Sequence, residues 1–159
     1  EKVVAIKLLA SACGKKGMVF GQFLDIESES KSIDKQSIEN IHALKTGKLI
    51  ECSVMYGQIG NPEKNVKKVL KSYAKKIGLA FQIKDDILEV TSNKETLGKN
   101  TNSDQKNHKS TYANILGIDK AKEKTMSLCE DAIGNLETLC SNKVNMLIEL
   151  AKYITYREK

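Results

Sequence analysis

The sequence is short of several residue types that mark common classes of protein. Its 159 residues include one proline, one arginine and no tryptophan. The few aromatic residues are not interleaved with lysines, so the sequence lacks the stacking platforms of proteins that bind single-stranded nucleic acid. The formal net charge of +6 comes from scattered lysines without an arginine-rich run. We therefore expect no nucleic-acid partner, and a site for small polyanions accounts for the same excess of positive charge.

The spacing of the cysteines disfavours a zinc site. No pair has C-x-x-C spacing, and the two histidines lie far from every cysteine in the sequence. The residues concerned are Cys13, Cys52, Cys129, Cys140, His42 and His108. Scattered cysteines on helical patterns predict reduced thiols in a cytoplasmic protein. No apolar run is long enough to span a membrane and no signal peptide is visible, so we expect no membrane insertion.

The hydrophobic periodicity predicts an all-α protein. Alternating β-branched runs are missing, and apolar residues recur at spacings of three and four. The spacing predicts helical segments over about residues 2–13, 17–25, 35–59, 63–91, 111–117, 119–140 and 142–157. Asp34 and Asn61 are the expected N-caps of the third and fourth, Pro62 is the expected first residue of the fourth, and 92–109 is a predicted loop. These segments are expected to form one packed helical bundle, a single domain over residues 1–159.

The start of the chain is apolar at once. Val3, Val4 and Ile6 follow closely on Glu1, whereas a natural N-terminus usually frays in polar residues. We therefore expect that the chain begins inside a larger protein.

Acidic side chains crowd one face near the end of the longest predicted helix. A helical turn of about 100° per residue places Gln82, Asp85, Asp86 and Glu89 on one side. Like charges at this spacing repel, and the helix dipole disfavours them at a C-terminal end, so a compensating cation is indicated. Oxygen ligands suit Mg²⁺, which combines one or two carboxylates with water and phosphate. The alternative is a solvated acidic helix end with Lys84 as a partial counter-charge.

Two further segments carry groups suited to phosphate. The predicted loop contains Lys94, Lys99, Lys106 and Lys109, and ammonium groups beside metal-bound carboxylates suit a bridged phosphate. The alternative is a solvated lysine-rich loop. The second segment is Lys45-Thr46-Gly47, where a glycine inside a helical pattern permits a kink or the close approach of a ligand. A tolerated surface glycine is the alternative there.

Five short motifs occur in the order in which one enzyme family carries them. They are Gly21-Gln22-x-x-Asp25, Lys45-Thr46-Gly47, Phe81-Gln82-x-x-Asp85-Asp86-x-x-Glu89, Gly98-Lys99 with Asp104 and Lys109-Ser110-Thr111-Tyr112, and Tyr153-Ile154-x-x-Arg157-x-Lys159. Together they resemble the trans-isoprenyl diphosphate synthase (polyprenyl synthetase) family of the farnesyl/geranylgeranyl type. The resemblance covers nearly the whole chain.

The resemblance implies a fold and an activity. The fold is the all-α bundle of isoprenoid synthases, with its N-terminal helices absent from these residues. The activity joins isopentenyl diphosphate to an allylic diphosphate, dimethylallyl or geranyl, by Mg²⁺-assisted ionisation. The product lengths C10, C15 and C20 all stay open, with farnesyl (C15) as the default. The resemblance also implies a homodimer of the full-length protein.

The resemblance also assigns roles to single residues. The implied metal ligands are Asp85, Asp86 and Glu89. The implied catalytic residues are Lys45, Thr46, Gln82 and Lys99, and the same four bind substrate together with Lys109 and Arg157. Glu89 stands where the family usually has aspartate, so its longer side chain puts its metal contact in question. Gln22 and Asp25 are implied to support or pack around the site, and Lys159 to accompany Arg157 over the isopentenyl diphosphate.

The family's first aspartate-rich motif, D-D-x-x-D, is not found in these residues. Neither is its basic cluster for isopentenyl diphosphate. We therefore expect this chain alone to be inactive, with apolar faces exposed and a tendency to aggregate. Three other readings stay open: a non-catalytic regulatory subunit of a heteromeric prenyl synthase, a basic helical adaptor, and a terpene cyclase on the same fold.

Overall fold

The protein is described here by a computed structural model that covers residues 1–97 and 111–158. Within these ranges the regular structure is helical throughout, as the periodicity predicted. The helices are α1 (Lys2–Cys13), α2 (Met18–Glu27), α3 (Lys35–His42), α4 (Lys48–Tyr56), α5 (Lys64–Leu97), α6 (Tyr112–Leu116), α7 (Ile118–Glu137) and α8 (Asn145–Tyr156). A π-helical turn over Ala43–Gly47 joins α3 to α4, and a 3₁₀ turn over Asn142–Val144 leads into α8.

Helix α5 is the central element, and it packs against α4, α7, α8 and the π-helical turn. Its apolar stripe is buried in two clusters. One joins it to α7 and α8 through Leu70, Tyr73, Ile77, Cys129, Leu136 and Ile154. The other joins it to α3, α6 and α7 through Ile38, Ile83, Ile87, Tyr112 and Leu128. Since these side chains are removed from water along most of its length, α5 is a rigid base for any group that projects from it.

Two predicted boundaries of α5 are wrong. Asn61 does bind the chain ahead of the helix, since its side-chain oxygen accepts the N–H of Glu63 at 2.9 Å. The helix itself begins at Lys64, so Pro62 lies before it. At the other end α5 continues to Leu97, through residues 92–97 of the predicted loop. Extending an existing helix requires no new nucleus, and no glycine or proline interrupts this stretch.

The predicted helix over residues 35–59 is divided by the π-helical turn. Its start is as expected, because Asp34 accepts the N–H of Ser37 at 2.8 Å. The turn itself contains the Lys45-Thr46-Gly47 motif. A Cβ on Gly21 of α2 would lie 2.3 Å from the backbone nitrogen of Lys45, and one on Gly78 of α5 would lie 3.1 Å from the Cα of Gly47. Small residues thus let α2 and α5 close on the turn from two sides.

Apolar side chains are exposed on α1 and α2. Ile6 is 66% exposed, and Phe23 and Ile26 are each 55% exposed. These residues agree with the expected exposed apolar faces, while the expected tendency to aggregate stays a prediction. Over the part of the chain that the structure covers, no helix is both long and apolar enough to cross a membrane. All four cysteines are free thiols.

Candidate active site

A polar cleft lies where α2, α3, the π-helical turn, α5 and α6 meet. The cavity within it is small, about 30 Å³, and the rest of the cleft is open to solvent. The polar lining consists of Asp25, Ser28, His42, Lys45, Gln82, Asp86 and Thr111, and the apolar lining of Ile33, Ile38 and Ile41. Three of the predicted site residues, Lys45, Gln82 and Asp86, thus line one cleft. Convergent polar groups over an apolar floor are typical of a site for a small ligand.

Lys45 is held in the cleft by Asp25. Its Nζ lies 2.6 Å from Asp25 Oδ2, with the lysine side chain 31% exposed and the aspartate 15% exposed. The two residues stand 20 positions apart, and α2 brings them together because Gly21 allows its close packing on the turn. An ammonium group has three N–H donors, so Lys45 can hold Asp25 and bind a ligand oxygen at once. Asp25 thus contacts a predicted site residue, whereas Gln22 is exposed on α2.

Thr46 and Gln82 form a direct link between the π-helical turn and α5. The Thr46 hydroxyl donates a hydrogen bond to Gln82 Oε1, and both side chains are partly buried. The bond couples two residues 36 positions apart that the motifs had placed near the same ligand. Their dipoles therefore have a fixed orientation beside Lys45.

The three acidic residues predicted to share one face have different environments. Asp85 is partly exposed, with its side chain 37% accessible, and Glu89 is exposed. Asp86 is buried, and its Oδ2 accepts the backbone N–H of Tyr112 at 2.7 Å. Successive residues on a helix differ by about 100°, so Asp86 turns toward α6 while Asp85 faces out. Among the described residues, no three His, Cys, Asp or Glu side chains are gathered as a metal site.

Arg157 packs against α5, with 14% of its side chain exposed. Its guanidinium donates to Asp85 Oδ1, and its Cζ lies 4.4 Å from the centroid of the Phe81 ring. The C-terminal end of α8 thus reaches the helix that carries the acidic motif. Lys99 and Lys109, the other predicted phosphate ligands, lie outside the described residues, as do Gly98, Asp104, Ser110 and Lys159.

Two buried residues beside Asp86 were given no role of their own by sequence reasoning. His42 lies with its Nε2 3.6 Å from Asp86 Oδ2. Tyr112 is fully buried and donates its hydroxyl to Glu39 Oε1 at 3.0 Å. Burial and this bond raise the pKa of Tyr112 above its ordinary value. The available signal was spacing, because His42 precedes Lys45 by three residues and so lies near it on a helical surface.

Comparisons with known proteins identify the class to which this all-α bundle belongs. The sequence profile described as Polyprenyl synthetase matches residues 1–151. Farnesyl diphosphate synthase of Escherichia coli (strain K12) is 40% identical, a match that spans 100% of this chain and 54% of that protein. A large subunit of a heterodimeric geranylgeranyl pyrophosphate synthase of Arabidopsis thaliana is 38% identical over 100% of this chain and 44% of its own. The chain belongs to the polyprenyl synthetase family, which confirms the resemblance.

Solved structures agree with this assignment. An FPP/GFPP synthase from Zymomonas mobilis superposes with a TM-score of 0.81 at 33% identity, over 96% of this chain and 50% of its own. A geranyltransferase from Helicobacter pylori, complexed with magnesium and isoprenyl diphosphate, superposes with a TM-score of 0.76 at 32% identity, over the same two shares. The chain therefore spans about half the length of the relatives it matches.

Proposed function

We propose that the protein is a prenyltransferase that condenses isopentenyl diphosphate with an allylic diphosphate, dimethylallyl or geranyl. The observation that carries the proposal is the grouping of Lys45 and Gln82 in one cleft, with Thr46 hydrogen-bonded to Gln82 and with Asp85 less than one helical turn beyond Gln82 along α5. This grouping offers a cation for phosphate and oriented dipoles for a developing positive charge. The π-helical turn and α5 carry two of the family's motifs. The match of the Polyprenyl synthetase profile over residues 1–151 supports this reading of the motifs.

The donor set on α5 fits Mg²⁺. Asp85 and Glu89 are one turn apart and reach solvent, and carboxylates with open access to water and phosphate are what this ion binds. Mg²⁺ held there would stabilise the negative charge on the departing diphosphate. The sequence also named Asp86 as a ligand. Because Asp86 Oδ2 already contacts Tyr112, we place the ion on Asp85, with Glu89 as its closest neighbour.

The chain's own residues divide the remaining work. Lys45 binds an oxygen of the allylic diphosphate, since its ammonium is both fixed by Asp25 and partly exposed. Thr46 and Gln82 orient their oxygens toward the reacting carbons, where dipoles stabilise a carbocation and help to accept the departing proton. Lys99 and Lys109 add positive charge at the same diphosphate, and Arg157 binds the isopentenyl diphosphate. The apolar floor of the cleft excludes water from the cation.

The product and the assembly are parts of the same proposal. We propose farnesyl diphosphate as the product, in line with the Escherichia coli relative, a homodimeric full-length protein, and a cytoplasmic location. The 159 residues contain no D-D-x-x-D motif, so we also propose that this chain alone does not turn over substrate. With a single acidic helix, carboxylates that bind metal ions lie on one side of the diphosphate only.

A regulatory subunit is the second candidate, because one relative belongs to a heterodimeric synthase. That relative is itself a large subunit. A purely regulatory chain has no need to keep Lys45, Thr46, Gln82 and Asp85 together, and this favours the catalytic proposal.

The test is Mg²⁺-dependent incorporation of labelled isopentenyl diphosphate, with dimethylallyl and geranyl diphosphates as acceptors. It compares this chain with the protein as its gene encodes it. Asp85→Asn is expected to lose most of its activity at the Mg²⁺ concentration that saturates wild type, and Glu123→Gln, an exposed carboxylate on α7, serves as the matched control. Turnover by residues 1–159 alone would overturn the proposed need for a second acidic motif on the other side of the diphosphate. No turnover by either form would instead favour the regulatory subunit.

A further inference from the structure

Asp86 has a buried environment that differs from that of its neighbour Asp85. Only 7% of the residue is exposed, although it sits in the acidic motif of α5. Its Oδ2 accepts the N–H of Tyr112 at 2.7 Å and lies 3.6 Å from His42 Nε2. A buried carboxylate is tolerated only where hydrogen bonds replace its hydration. These contacts supply that replacement, and they occupy one of the two oxygens that Asp86 could offer to a metal ion.

The partners of Asp86 lie on two other elements of the cleft wall. Tyr112 is the first residue of α6, and its hydroxyl bonds Glu39 of α3 at 3.0 Å. Thr111, which precedes it, lines the cleft and accepts the N–H of Asn114 at 3.1 Å. The chain is therefore held at Tyr112 by side chains from α5 and α3, directly after Thr111.

The other partner connects to the lysine of the cleft. His42 is the last residue of α3 and directly precedes the π-helical turn that carries Lys45. It is buried, with 7% of its side chain accessible, so its position beside Asp86 is set by packing. One carboxylate thus contacts the segment that places Thr111 and the segment that places Lys45.

We propose that Asp86 is a positioning residue, and that adjacent carboxylates of the acidic motif have separate tasks. Asp85 faces the ligand, while Asp86 joins α5 to α3 and α6, so that Lys45 and Thr111 keep their places on the cleft wall. This inference rests on the proposed function for its consequence in catalysis. The tie itself is a property of the fold and is testable without turnover.

The test compares Asp86→Asn, Asp86→Ala and Asp85→Asn in the protein as encoded. The asparagine keeps an oxygen that accepts the Tyr112 N–H, but it is a far poorer Mg²⁺ ligand. We expect Asp86→Asn to keep the Mg²⁺ concentration for half-maximal activity within about twofold of wild type, and Asp85→Asn to raise it at least about tenfold. Asp86→Ala is expected to raise the KM for the allylic diphosphate more than it lowers kcat. An increase in the Mg²⁺ requirement of Asp86→Asn equal to that of Asp85→Asn would overturn the proposal.

Hydrogen exchange of the Tyr112 amide separates this inference from the proposed function. Loss of one buried hydrogen bond predicts that protection of this amide falls about tenfold in Asp86→Ala and is retained in Asp86→Asn. Unchanged protection in Asp86→Ala overturns the positioning role, whether or not the protein transfers prenyl groups. If the Tyr112 amide loses protection in Asp86→Ala but the protein shows no prenyl transfer, the positioning role is supported and the proposed function is wrong. If Asp86→Ala does not fold, Asp86→Asn decides between the two roles. A metal-ligand role predicts a raised Mg²⁺ requirement for Asp86→Asn, whereas a role as hydrogen-bond acceptor predicts an almost unchanged one.

Discussion

The guanidinium of Arg157 pairs with the carboxylate of Asp85, across 72 positions of sequence. The same guanidinium lies over the ring of Phe81, 4.4 Å from Cζ to the ring centroid. A cation from the chain thus occupies one side of the carboxylate that we assign to Mg²⁺. Two cations at one carboxylate repel, so binding of the metal and the position of Arg157 are linked.

We predict that Arg157→Gln lowers the Mg²⁺ concentration for half-maximal pyrophosphate binding by about three- to tenfold, the effect of roughly 1 kcal/mol from a partly exposed ion pair. The measurement is a calorimetric titration with Mg²⁺ and inorganic pyrophosphate. Lys152→Gln is the control, since it removes a positive charge on α8 whose partner is Glu149. An unchanged Mg²⁺ requirement in Arg157→Gln would show that the pair does not compete with the metal.

Gly21→Ala is predicted to destabilise the protein by more than about 2 kcal/mol, the scale of overpacking against a structure that cannot move. The added Cβ would lie 2.3 Å from the backbone nitrogen of Lys45. Gly134→Ala is the matched control, since its Cβ meets nothing within 4 Å inside α7, and it should stabilise the protein by about 0.5–1 kcal/mol. Chemical denaturation measures both. Equal effects of the two substitutions would contradict the close packing of α2 on the π-helical turn.

The bond between Thr46 and Gln82 predicts different outcomes for two substitutions of the threonine. Thr46→Val keeps the shape but removes the hydroxyl, so we expect kcat to fall by about ten- to a hundredfold, as for loss of an oriented dipole. Thr46→Ser keeps the hydroxyl and should retain most of the activity. Steady-state kinetics of the protein as encoded provide the comparison. A serine variant that is slow beside a valine variant that stays active would assign the role to packing of the methyl group.

Tyr73 gives a stability prediction that depends on pH. Burial raises its pKa from 10.0 to about 12, and its hydroxyl donates to the Leu147 carbonyl at 2.7 Å. Because the folded-state pKa is raised, the stability from the neutral phenol is full below pH 10 and is lost as the pH rises toward 12.

Tyr73→Phe should therefore be about 1 kcal/mol less stable at pH 7, from the lost hydrogen bond. The difference should shrink to near zero at about pH 11, where ionisation of the unfolded wild type removes about 1.4 kcal/mol. Urea denaturation at both pH values measures the two differences, and titration of the lysines cancels between the variants. A difference that does not change with pH would show that Tyr73 is not shielded from water.

Local patterns were sufficient for much of the architecture. The start of α3 followed from the Asp34 cap, and the extent of α1 followed from its apolar spacing and Gly14. The end of α5 did not, since residues 92–96 are polar and only continuity with the packed helix before them explains the helical state of residues 92–97. The sequence offered a kink at Gly47 as one reading, but it did not predict the π-helical form of this turn, whose close neighbours at Gly21 and Gly78 lie on helices distant in sequence.

The sequence by itself determined the helical class, the family, and the chemical types gathered at the site, because apolar periodicity and short motifs are local properties. The tertiary structure alone decided which of these residues face the ligand and which are buried. Asp85 and Asp86 are adjacent in sequence and identical in chemistry, yet one meets Arg157 and the other Tyr112. A helical step of about 100° turns them toward different neighbours, and those neighbours come from distant parts of the chain. Only the packing of α3, α6 and α8 on α5 therefore separates a ligand-facing carboxylate from a buried one.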